Sequence, residues 1–179
     1  MKTTDVFALL EQHKNLRGIE HWNKLTDTAG LTSYGIGRTV LRKLAKQLGR
    51  SHDLAMALWA TENYDAKVLG LLIDEPKKLT LEQVESQMSY LGIGLLTHVF
   101  SSCDATLAKA PFAFDLAEDW LHSDDPMKRR CAYGLVYEFS KKNNKKYTDE
   151  FFLSVIDRVD RTFFNETKSS RVAMGCALM

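Results

Sequence analysis

The stretch Pro111-Phe112-Ala113-Phe114-Asp115-Leu116-Ala117-Glu118-Asp119-Trp120-Leu121-His122-Ser123-Asp124-Asp125-Pro126-Met127-Lys128-Arg129-Arg130-Cys131-Ala132-Tyr133-Gly134 decides the fold. It reads as a helix, a short polar turn, and a second helix whose first turn carries bases. Two explanations fit those bases. Either Trp120 packs between helices while Arg129 or Arg130 bonds an acid such as Asp119 or Asp124, or the bases clamp a phosphate.

Working outward, the pattern recurs. Asp53-Leu54-Ala55 matches Asp115-Leu116-Ala117 at an offset of 62, which sets Thr61 against Ser123, Lys67 against Arg129 and Leu69 against Cys131. About 42 residues further on, Arg171-Val172-Ala173-Met174 repeats Arg129-Arg130-Cys131-Ala132. Helix pairs recurring about every 40 residues mark HEAT-like solenoids, in which each pair buries its apolar face on its neighbours. The offset of 62 is irregular, so one intervening pair, 81–107, has to be atypical. The expectation is an all-α superhelix of HEAT-like repeats in a single domain, 1–179.

The flanking segments agree. Val6, Leu9, Leu10 and His13 form one stripe, and Val40, Leu41, Leu44 and Leu48 another, with Arg42, Lys43 and Lys46 opposite. Asp53 reads as an N-cap for Leu54, Ala57, Leu58 and Trp59, and Asp65 as one for Val68, Leu69, Leu71 and Leu72. Thr80 starts a further helix, with Gln83 where a capping box wants it. No stretch alternates every two residues with hairpin turns.

Composition narrows the function. The chain has 179 residues, 45% hydrophobic and 26% charged, in the range of globular proteins. Its longest uncharged run, Ser86 to Cys103, is too polar for a bilayer span, and Asp5 sits where a signal peptide needs its apolar core. Three scattered cysteines, Cys103, Cys131 and Cys176, predict reduced thiols in a cytoplasmic protein, with no zinc spacing and no cofactor. The net charge of +1 means that any basic surface is local. Residues 1–50 hold nine bases against four acids, and the later bases cluster as 128–130 and 141–146. The second cluster reads as a solvated interhelical turn. Gly35-Ile36-Gly37 reads as a turn rather than a phosphate loop, and the five histidines are dispersed.

The ordered set Val40-Leu41-Arg42-Lys43-Leu44-Ala45-Lys46, His52-Asp53-Leu54-Ala55, Leu58-Trp59, Asp74-Glu75-Pro76-Lys77-Lys78-Leu79-Thr80 and Trp120 with Arg129-Arg130 resembles the AlkD-like DNA alkylation repair family, from about Tyr34 onward. The resemblance implies a solenoid gripping duplex DNA, alkylated DNA included, on a concave basic face, and glycosylase excision of cationic alkylated purines. Lys128, Arg129, Arg130, Lys168 and Arg171 are the expected DNA-binding residues. The family's active site centres on a Trp-Asp-x-x-Asp stretch. Here the corresponding segment is Leu95 to Asp104, so the catalytic Asp falls on Phe100 or Ser101, the Trp on Leu96 or Thr97, and a second aromatic near Cys176. Arg130 is retained. Neither Phe100 nor Ser101 can stabilise an oxocarbenium-like sugar or orient a water as a carboxylate does.

Three functions stay open: DNA binding with weak or absent base excision, excision through a displaced carboxylate at Asp104, and a scaffold whose groove takes a protein partner. No membrane association is expected. The chain stops at Met179 inside an apolar helical segment, as a truncated chain or an abruptly ending array would.

Overall fold

The computed structural model describes residues 2–102 and 105–179. Its described residues form helices, with one isolated parallel bridge between Thr32 and Asn63 and no strand. The chain divides into two compact units, Met1–Val99 and Phe100–Met179.

The first unit holds α1 (Thr3–Gln12), α2 (Leu16–Trp22), α3 (Arg38–Leu48), α4 (His52–Trp59), α5 (Tyr64–Ile73) and α6 (Leu81–Gln87). The stripe on α1 buries Val6 and Leu10 completely, and that on α3 buries Leu41 and Leu44 while Lys43 and Lys46 face water. Each such side chain removed from water contributes about 1.5–3 kcal/mol. Gly49, at φ 73°, ends α3 where an L side chain would be strained.

Two caps differ from expectation. Ser51, not Asp53, caps α4, and Asn63, not Asp65, caps α5, its side chain accepting from the Ala66 N–H at 3.0 Å. Asp65 lies inside α5 because its carboxylate serves another segment. It accepts the Ser33 hydroxyl (2.8 Å) and the N–H groups of Tyr34 (2.7 Å) and Ile36 (3.2 Å). The Gly35-Ile36-Gly37 turn therefore encloses the protein's own anion, and Gly35 reaches φ 68° to do so.

Thr80 does cap α6, accepting from the Gln83 N–H. The Gln83 side chain does not turn back as a capping box requires; it donates to Asp74 Oδ2 at 2.7 Å. Asp74 also meets His52 Nδ1 at 2.7 Å, Arg50 donates to the Asp74 carbonyl at 2.6 Å, and Glu75 accepts the His52 N–H. The His52-Asp53 and Asp74-Glu75-Pro76 motifs are thus parts of one clasp at the C-terminal end of α5. The pieces that follow are short: α6, a 3-10 turn at Met88–Tyr90, then α7 (Leu96–Ser101). They make 81–107 the atypical pair.

The second unit holds α8 (Ala113–Leu121), α9 (Pro126–Ser140), α10 (Asp149–Thr162) and α11 (Lys168–Ala177). α9 packs against α8 on one side and α11 on the other, burying Cys131, Ala132, Leu135, Val136 and Phe139. Phe114, Phe139, Tyr147 and Phe151 form an aromatic cluster with ring centroids 4.6–6.1 Å apart. Residues 141–148 are an interhelical turn, as read. Its lysines are less free than expected, since Lys142 donates to the Ala108 carbonyl at 3.0 Å and Lys146 pairs with Asp115 at 3.3 Å.

The repeat register is physical. Asn63, Asp125 and Thr167 are the N-caps of α5, α9 and α11, and each is followed four residues later by a base: Lys67, Arg129 and Arg171.

Candidate nucleic-acid interface

Two of the three repeated bases, Lys67 and Arg129, share a local task. The Lys67 ammonium donates to the carbonyl of Trp59, the last residue of α4, at 2.5 Å. It lies 4.8 Å from the Trp59 ring centroid and 4.0 Å from that of Tyr90. Burial pushes its pKa down. Arg129 donates through Nη1 to the carbonyls of Ser123 (2.8 Å) and Asp124 (2.9 Å), in the turn before its own helix. Its Nε and Nη2 form a fork on Glu166 at 2.5 and 3.0 Å, and that hydrogen-bonded carboxylate raises its pKa. Arg171 lies over the ring of Phe163, 5.8 Å away, in the 3-10 turn before α11. A cation near exposed helix-end carbonyls is favourable for the same reason that the macrodipole favours it there. The acid that holds Arg129 is Glu166, rather than the Asp119 or Asp124 carboxylate, and the whole guanidinium is engaged inside the fold.

The remaining bases lie around the same helix ends. Arg130 and Lys168 line one open groove of about 560 Å³, together with Thr167, Ser169 and Val172. Lys128 lies 5.9 Å from the Trp120 ring centroid. The N-terminal ends of α9 and α11 meet here, joined by the Arg129–Glu166 fork and by the Ser170 hydroxyl donating to the Pro126 carbonyl at 3.3 Å. Neither helix has an acid in its first turn. Bases at a helix N-terminus oppose the macrodipole, at roughly 0.3–1 kcal/mol each. Two adjacent helices break the rule in the same place, so N–H groups and cationic side chains add to one positive field. Asp125, whose carboxylate caps the Met127 N–H at 2.7 Å, offsets part of it, and Glu166 is neutralised by Arg129.

The positions where the resemblance places catalytic groups are packed interior. Leu96, Thr97, Phe100 and Ser101 are all at most 3% exposed. Phe100 stacks on Trp120 with ring centroids 6.5 Å apart, and Trp120 is itself 3% exposed. Ser101 and Ser102 press so closely on Gly134 of α9 that a Cβ there would fall on both hydroxyl oxygens. Cys131 beside them is fully buried, which pushes its thiol up to about 12 and makes it inert. Cys176 is half-buried in α11, where the resemblance places the second aromatic. Asp104, the displaced-carboxylate candidate, lies outside the described residues. Among the described residues no group of three metal-ligating side chains occurs, and no helix is long and apolar enough to cross a membrane.

The model of the family described as DNA alkylation repair enzyme matches residues 6–179. The chain belongs to this family. Two curated relatives are similar over 153 residues: Uncharacterized protein Lmo0209 of Listeria monocytogenes, 28% identical, and Uncharacterized protein Lin0241 of Listeria innocua, 27% identical. In both cases the match covers 80% of this chain and 62% of the relative, so the chain spans less than two thirds of their length. A solved structure described as a new family of proteins related to the HEAT-like repeat DNA glycosylases, with affinity for branched DNA structures, superimposes with a TM-score of 0.82 at 20% identity. It covers 99% of this chain and 74% of its own. The fold of this alkylation repair family member is therefore an all-α array of HEAT-like repeats.

Glu166 and Gly134 organise the structure and were not singled out by the sequence, and Asp65 was read only as an N-cap. Glu166 had a signal: it directly precedes the N-cap Thr167, the position from which a side chain can reach the next helix's first turn. The other two had none, because their partners lie 29–33 residues away.

Proposed function

We propose that this member of the alkylation repair family binds DNA through Arg130, Lys168, Lys128 and Arg171 and releases no base. The observation that carries the reading is the paired N-termini of α9 and α11, with bases in their first turns and an open groove in front. Phosphate oxygens are the acceptors such a corner suits, from backbone N–H groups and guanidinium together. Arg129 contributes by holding the corner and not by touching DNA. The packing of Phe100 and Ser101 supports binding without excision, since a flipped cationic purine needs a cleft with an anion and aromatic walls. A cytoplasmic protein acting on chromosomal DNA fits this reading.

Branched DNA is the second substrate class, favoured by the described affinity of the structural neighbour. The experiment offers the purified protein three substrates: a plain duplex, a duplex containing 7-methylguanine, and a four-way junction. Binding and base release are both scored, against a no-protein control at the same pH and temperature. The expected result is salt-sensitive binding and release at the control rate. Release above control would overturn the non-catalytic part, and its loss in Asp104→Asn would assign it to that carboxylate. Salt-independent or absent DNA binding would leave the scaffold reading in its place.

A further inference from the structure

A second pocket lies away from the Arg130 groove. It has a volume of about 430 Å³ and is bounded by the C-terminal end of α8 and the last turns of α10. That is within the roughly 300–1,000 Å³ of small-molecule sites. Its lining holds the charged side chains of Asp157, Arg158 and Arg161 and the His122 imidazole, with Leu121 and Val155 as apolar wall.

Arg158 is the unusual member. Its Nη1 lies 3.3 Å from His122 Nδ1. A guanidinium has no acceptor, so His122 must present a lone pair at Nδ1 and carry its proton on Nε2, which leaves a second donor at the pocket. The Arg158 Nε is buried and has no hydrogen-bond partner among the described residues. No described carboxylate pairs with Arg158, whereas the neighbouring Arg161 is held by Asp157. The buried Tyr133 hydroxyl sits against Arg158 and Thr162, and both side chains hold its pKa below what burial alone would give. An unpaired buried donor costs about 1–3 kcal/mol, more when charged, and native proteins keep few of them. The Arg158 Nε is such a donor, on a residue that lines the pocket.

We propose that this pocket binds a phosphate monoester, with the phosphoryl oxygens on Arg158, Arg161 and His122 and the esterified group against Leu121 and Val155. Phosphate supplies several strong acceptors to converging donors, and guanidinium geometry matches it. The volume leaves room for the group that carries the phosphate. Two sources share this chemistry: a free nucleotide, and the 5′-phosphate of a DNA end.

The test uses AMP and inorganic phosphate as free probes, by calorimetry, and compares duplexes with 5′-phosphate and 5′-hydroxyl ends. AMP should bind the wild type, and Arg158→Gln should weaken it at least tenfold. His122→Ala, at the exposed mouth, should weaken it as well in a protein whose circular dichroism is unchanged. If the DNA end is the source, the preference for the 5′-phosphate duplex disappears in Arg158→Gln. Arg130→Gln should leave AMP binding unaltered while weakening duplex binding, so the failure of this proposal and of the DNA reading can be told apart. If neither AMP nor the 5′-phosphate distinguishes wild type from both variants, the pocket is not a phosphate site.

Discussion

Arg129 and Arg130 are adjacent in sequence and opposite in consequence, which makes the pair the sharpest test of the interface. Replacing Arg129 with Ala strands the Glu166 carboxylate, whose side chain is 3% exposed, without its only fork partner among the described residues. Removing one member of a buried pair costs roughly 3–5 kcal/mol. That is a large share of the about 5–15 kcal/mol available to a domain. Arg130→Ala removes a side chain with no ion-pair partner among the described residues, so stability should change by no more than about 0.5 kcal/mol. DNA binding should show the reverse order. If Arg130 neutralises one phosphate, its loss lowers the slope of log K against log salt by about 0.9. Across 50 to 200 mM salt, the gap between wild type and Arg130→Ala then narrows about 3.5-fold. Arg129→Ala, measured at a temperature where circular dichroism shows it native, should keep the wild-type slope. Denaturant unfolding and salt-titrated fluorescence anisotropy give the two axes. A variant set in which Arg129→Ala flattens the slope and Arg130→Ala does not would refute the division of labour.

Two further outcomes follow from burial. Asp65→Asn should destabilise by about 1–3 kcal/mol, because an NH2 donor replaces one of the two oxygens on which three donors now converge. Burial raises the Asp65 pKa above its unfolded value, so its contribution is fullest below the unfolded pKa and is lost as pH rises through the folded one. The wild-type advantage over Asp65→Asn should therefore shrink as pH rises through the acid range, and an advantage that grows instead would reject the desolvation account. Trp120→Ala should cost about 3–5 kcal/mol by opening a cavity against Phe100, and little loss in a denaturant melt would mean that the ring is not packing there.

The fold was legible because its signals are local and repeated. Apolar stripes at helical spacing locate α1 and α3, and the offsets of 62 and 42 residues coincide with the spacing of the N-caps Asn63, Asp125 and Thr167. What sequence misplaced were the caps themselves. Asp53 and Asp65 have the right chemistry for an N-cap, as do Ser51 and Asn63 two residues earlier, and propensity cannot choose between two good caps. The choice was made by tertiary partners. Asp65 is worth more accepting three donors from residues 33–36 than it would be at the helix end, and Gln83 is worth more on Asp74 than on its own cap.

The site was legible only in part, for a related reason. A base recurring at one repeat position is the expected footprint of a surface that tracks phosphates, and it is equally the footprint of a device that each repeat needs for itself. Lys67 settles which cause operates: at 3% exposure, bonded to the Trp59 carbonyl and enclosed by two rings, it cannot face a ligand. Arg129 performs the same clasp with two carbonyls and a carboxylate. The bases left for a ligand are then Arg130 one position on and Lys168 at the start of α11, joined by Lys128 and Arg171. A repeat can vary such residues without losing its fold. Their position at two helix N-termini, against the local dipole preference, is the sequence-readable mark of a role outside the repeat.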